Sequence, residues 1–183
     1  MPSIEIEDRY FSGLKKMTKI IIPNSKTTIG VGAFENCESL FEIQLPSSLV
    51  NIKCNAFYEC FSIKEIVIPS SVTELGKFCF YQCKSLTYVK ILASITELLQ
   101  STFDGCISLV QVEFPSSLNK IDCFCFNMCM SLIEIDIPSS VNNIEKGAFN
   151  ECSSLKIVKI NGPLNEIKDN TFYNCSSLVE IDI

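Results

Sequence analysis

Eleven cysteines and no histidine stand in this chain of 183 residues. Thiols can act as nucleophiles, bridge as disulfides or hold zinc, so their placement matters first. The absence of histidine removes Ser-His-Asp and Cys-His nucleophiles and every imidazole metal ligand. Seven cysteines, Cys37, Cys60, Cys83, Cys106, Cys129, Cys152 and Cys175, follow one another at a constant interval of 23 residues. A fixed period of this size is the mark of a stacked repeat. Strands in register lie about 4.7–4.9 Å apart, whereas a disulfide needs Cβ atoms near ~3.8 Å. The period therefore predicts a column of small buried thiols whose S–H groups bond turn carbonyls, and no disulfide ladder. Cys106, Cys123, Cys125 and Cys129 invite a zinc reading. However, Cys125 takes a place that Ala56, Cys79 and Ala148 fill in other units, which asks for a small residue rather than a ligand. No metal or other cofactor is expected.

The remaining candidates for chemistry are weaker. Asn174-Cys175-Ser176 is a formal glycosylation acceptor, but its middle residue belongs to the buried column. Gly30-Val31-Gly32 precedes no helical pattern, so it makes no phosphate loop. The carboxylates have no partner that predicts a perturbed pKa. A non-enzymatic protein is expected.

The elements that must place these thiols are read from the same lattice. After Cys37 come Ser39, Leu40, Ile43, Leu45, Pro46, Ser47-Ser48, Leu49, Ile52, Ala56 and Phe57, and this order returns in each unit. Ile43 and Leu45 alternate with Glu42 and Gln44, which is the period of a half-buried strand. Proline ends the strand because it has no N–H for a ladder, and the serine pair suits a turn through bonds to the local backbone. Leu49 and Ile52 start a return path on the opposite wall. Phe57, Phe80, Phe103, Phe126, Phe149 and Phe172 should form one inward aromatic column. Six full units cover 37–174, a degenerate unit with Leu14 and Met17 in place of Cys and Leu covers 14–36, and a partial unit covers 175–183. The chain is thus expected to be a single solenoid over 1–183.

The pattern L-x-x-I-x-I-P-S-S-V-x-x-I-x-x-x-A-F-x-x-C resembles the BspA-like, or Treponema pallidum-type, leucine-rich repeats. The resemblance implies a mostly β, right-handed leucine-rich-repeat solenoid of 23-residue units. One face would carry a parallel sheet, and the other short turns, 3-10 or strand segments; a parallel β-helix is the competing fold. It also implies roles in protein binding and, in several members, host or surface adhesion.

Outside the core, the strand pattern leaves two exposed columns whose residues vary while their inward neighbours repeat. One contains Glu42, Glu65, Tyr88, Gln111, Glu134 and Ile157; beside it run Val67, Lys90, Glu113, Asp136 and Lys159. These are the candidate partner-binding residues, with Tyr88, Val67 and Ile157 as apolar anchors. Glu113, Glu134 and Asp136 should form an acidic cluster flanked by Lys90 and Lys159, which favours a protein partner with a basic surface. The formal net charge of −6 speaks against nucleic acid, and charged residues recur too often for a membrane span. The acidic first residues do not resemble a secretory leader. A cytoplasmic scaffold is the expectation, with a cell-surface adhesin or antigen as the alternative if the chain is a trimmed fragment. The strand pattern at 179–183 carries no polar cap, which predicts self-association through the C-terminal end.

Overall fold

The computed structural model describes residues 4–183. In chain order the first strands are β1 (Glu5–Ile6), β2 (Lys19–Ile21), β3 (Thr28–Ile29), β4 (Glu42–Gln44), β5 (Asn51–Ile52), β6 (Glu65–Ile68), β7 (Glu74–Leu75) and β8 (Tyr88–Ile91). There follow β9 (Glu97–Leu98), β10 (Gln111–Glu113), β11 (Lys120–Ile121), β12 (Glu134–Ile137), β13 (Asn143–Ile144), β14 (Ile157–Ile160) and β15 (Glu180–Asp182). Among the described residues there is no helix, and every pairing is parallel with partners one repeat apart, such as Ile20↔Ile43 and Ile66↔Val89. Each repeat is one coil of a β-solenoid. The even-numbered strands and β15 build a front wall, and the shorter odd-numbered strands build a back wall.

Both walls are interrupted. The front wall consists of the hydrogen-bonded blocks β2–β4, β6–β8–β10 and β12–β14–β15, and the back wall of β1–β3–β5–β7 and β9–β11–β13. The sequence pattern predicts the strands but not these seams.

A corner of tight turns closes the third side. Two residues per coil there have positive φ: one series runs Gly13, Asn36, Glu59, Gln82, Gly105, Met128, Glu151, Asn174, and the other contains Asn55, Phe78, Phe124 and Gly147. For a residue with a Cβ this left-handed backbone costs about 1–2 kcal/mol. Main-chain bonds between coils offset the cost: Glu59 N donates to Tyr81 O at 2.8 Å and Gln82 N to Asp104 O at 2.7 Å. Gly147 is needed for space as well, since a Cβ there would come within 2.5 Å of the Phe124 ring.

The interior holds the predicted columns. Phe34, Phe57, Phe80, Phe103, Phe126 and Phe149 are buried, and the rings from Phe11 to Phe172 stack at centroid spacings of 5.2–5.6 Å. This spacing follows from coils stacked in register, each carrying one ring at its turn corner. The second serine of the turn departs from expectation. Ser48, Ser71, Ser117 and Ser140 donate not to their own turn but to carbonyls of the preceding coil (Lys26, Leu49, Ile95, Leu118) at 2.5–2.8 Å. The serines thereby bolt coil to coil. In the degenerate unit, Leu14 occupies the cysteine's place and is 47% exposed. No described helix is long and apolar enough to cross a membrane.

Candidate functional site

Each of the seven lattice cysteines donates its S–H to the carbonyl of the phenylalanine one coil back, from Cys37 to Phe11 O through Cys175 to Phe149 O, at 3.0–3.3 Å. The same carbonyl also accepts the backbone N–H of its own coil's cysteine, as Phe57 O does from Cys60. Both lone pairs are used, so the column binds each corner to the next. Burial pushes the thiols of Cys60, Cys83, Cys106 and Cys129 up, well away from the thiolate a nucleophile needs. All eleven cysteines are free thiols; Cys54 is exposed, Cys123 half-buried, and Cys79 and Cys125 lie buried in the alanine column. Among the described residues no group of three or more Cys, Asp or Glu is placed to hold a metal.

The front wall presents the two predicted columns outward. Glu65, Val67, Gln111, Glu134 and Asp136 are exposed, while Glu42, Tyr88, Lys90, Glu113, Ile157 and Lys159 are half-buried by their neighbours. Registration places Lys90 opposite Glu113 and Ile157 opposite Glu134. The acidic cluster needs correction, because β10 and β12 face each other across a seam and each acid has its own partner. Lys90 Nζ sits 2.8 Å from Glu113, whose other oxygen accepts the Tyr88 hydroxyl. These two donors lower the Glu113 pKa, and the same bond raises that of Tyr88. Lys159 lies opposite Asp136 yet bonds Glu134 at 2.6 Å, while Asn161 donates to Asp136 at 2.6 Å. Tyr88 is therefore a tethered phenol rather than a bare apolar anchor. The face as a whole stays acidic: its two columns, extended from Lys19 to Asp182, hold seven carboxylates and three lysines, a net of −4 within the chain's −6.

Sequence reasoning passed over two features of this wall. Phe41, Val110 and Ile133 stand exposed just before their strands. Leu92 replaces the proline found at 23, 46, 69, 115 and 138 and points outward, 49% exposed. The loss of the Pro-Ser-Ser signature at Leu92-Ala93-Ser94 was the available signal.

A parallel β-solenoid with one sheet-forming strand, one return strand and one Phe-Cys corner per coil defines a leucine-rich repeat protein. The profile of the BspA type leucine-rich repeat region matches six copies over residues 4–102 and 74–183, and the chain belongs to that family. Among solved structures, a leucine-rich repeat protein from Bacteroides ovatus is 30% identical, with 96% of this chain and 58% of that one covered at a TM-score of 0.65. The T. pallidum leucine-rich repeat protein is 24% identical, covering 85% of this chain and 72% of that one at a TM-score of 0.58. One from Eubacterium ventriosum is 23% identical over 85% of this chain and 45% of that one, at a TM-score of 0.62. The chain thus spans 58% of the length of the Bacteroides protein. No curated protein matches it.

Proposed function

We propose that the chain is a non-enzymatic scaffold that binds a protein partner through the exposed strand face of its front wall. The observation that carries this reading is the contrast within each strand. The inward residues are Ile, Val or Leu in every coil but one, where Phe114 stands, whereas the outward ones range over Glu, Tyr, Gln, Ile, Val and Lys. Nothing in packing asks for that variety, and a rigid array of dissimilar side chains is what an extended recognition surface requires. The net charge of −4 on the face favours a partner with a basic surface, steered in by charge. Pull-down from extracts of the source organism, comparing wild type with Glu113→Lys/Glu134→Lys/Asp136→Lys, tests the reading. Proteins recovered with wild type and lost with the variant support it; identical recovery removes these residues from the interface. We propose a cytoplasmic location, with the cell surface as the alternative. Eleven free thiols on protein isolated from its own cells would agree, and bridged thiols would place it at the cell surface.

A further inference from the structure

The front wall breaks between β4 and β6 and between β10 and β12, although the 23-residue lattice runs on unchanged. The strand before each break is short. There Ile43 and Val112 are only half-buried, where Ile66, Val89, Ile135 and Val158 are buried. Each seam opens a surface groove, of about 540 Å³ at the first and about 550 Å³ at the second. Both are large enough for a ligand of several residues. Their linings differ in kind. At the second, Glu113 and Asp136 are already held by Lys90 and Asn161. At the first, Ile43, Leu45, Ile66, Val67, Pro69 and Leu92 line the groove together with the polar Gln44, Ser47 and Glu65.

Three observations at this first groove point the same way. Leu92 and Val67 are 49% and 45% exposed; leucine replaces a turn proline and valine sits in a column of mainly Gln, Lys, Glu and Asp, so neither serves the core. The facing edges of β4 and β6 do not bond each other, which leaves main-chain donors and acceptors beside the apolar floor. Glu42, Glu113 and Glu134 on the same face each hold a lysine, whereas among the described residues no salt bridge reaches Glu65. An extended chain can use all three at once.

We propose that the β4–β6 groove binds an extended segment of a protein partner, with an apolar side chain set on Val67 and Leu92 and a lysine or arginine against Glu65. The inference rests on the scaffold reading and names where and what the scaffold grips. A phage-displayed library of random peptides of about 12 residues, panned on the full chain, supplies the probe. Enriched peptides, made synthetically, are titrated by fluorescence polarisation against wild type, Leu92→Ser, Val67→Ser, Glu65→Lys and, on the back wall, Glu74→Lys. All four sites are exposed, and circular dichroism melts verify the fold of each variant. The expected peptides pair an apolar residue with Lys or Arg. Their binding should weaken at least about tenfold in Leu92→Ser and Glu65→Lys, and less than about twofold in Glu74→Lys. Peptides that bind the groove variants as well as wild type overturn the groove and leave the scaffold reading intact. An empty selection also overturns the groove; the scaffold reading then stands or falls on the pull-down with the triple face variant.

Discussion

Replacing Phe103 by alanine should cut the solenoid at its middle. The ring is fully buried and stacks on Phe80 at 5.6 Å and on Phe126 at 5.5 Å. A buried Phe→Ala change costs about 3–5 kcal/mol through lost transfer and cavity energy, and each lost ring pair adds about 0.5–1.5 kcal/mol. The total of about 4–8 kcal/mol is a large share of the roughly 5–15 kcal/mol that holds a typical domain. Because each coil touches only its neighbours, the cost falls on both interfaces of one coil, and the halves should begin to unfold separately. Phe172 is the internal comparison. It is only partly buried and stacks on Phe149 alone, so Phe172→Ala should cost about half as much. Urea unfolding followed by far-UV circular dichroism measures both variants. The expected result is a lower midpoint and a broader or two-step transition for Phe103→Ala. Equal losses at Phe103 and Phe172, or a loss below about 1.5 kcal/mol at Phe103, would refute the stacked-column reasoning.

Other outcomes follow from single contacts. Ser140→Ala removes the donor to Leu118 O in the preceding coil and should cost about 1 kcal/mol, and an unchanged melt would contradict a stabilising role for that bond. Asp104 is buried and accepts from Ser101 and Asn127, and burial raises its pKa above the ordinary value of 3.8. A raised carboxyl pKa means that the folded state holds its proton longer than the unfolded one, so wild type loses stability as pH rises through that window. Asp104→Asn, which keeps an acceptor for Asn127, should raise the melting temperature at neutral pH by about 2–4 °C. The gain should vanish as pH falls towards 3.8, and a gain that persists there would contradict the assignment. Gly147→Ala should destabilise by about 2 kcal/mol or more, since the new methyl meets Phe124 and the backbone is left-handed; a neutral melt would show that the corner can yield.

What the sequence made legible depends on how many copies report the same fact. The lattice thiols, the phenylalanine column and the strand alternation recur in coil after coil, so side-chain type alone placed them inside. The left-handed corner was also written in Gly13, Asn36, Gly105 and Asn174, but Glu59, Gln82, Met128 and Glu151 hid it, because a ladder of main-chain bonds lets them adopt the same backbone. The reach of Ser140 to Leu118 O depends on coil spacing, not on residue type. The seams were illegible for a similar reason: Ile43 and Leu45 read like Ile66 and Ile68, and only backbone separation distinguishes them. On the front face, the columns predicted which charges share a wall. They could not predict that Lys159 would bond Glu134 rather than the directly opposite Asp136, since side-chain reach across the diagonal is not written in the register.

The central claim is that successive coils stack with their lattice sulfurs turned inward and bonded to the phenylalanine carbonyls of the coil before. Alkylation of the native protein with iodoacetamide, read residue by residue by mass spectrometry, tests it most directly. The account predicts rapid labelling of the exposed Cys54, slower labelling of the half-buried Cys123, whose thiol pKa burial and Asp122 raise, and silence at the other nine until denaturant is added. Labelling of Cys83, Cys106 or Cys129 in the native protein at the rate of Cys54 would contradict it.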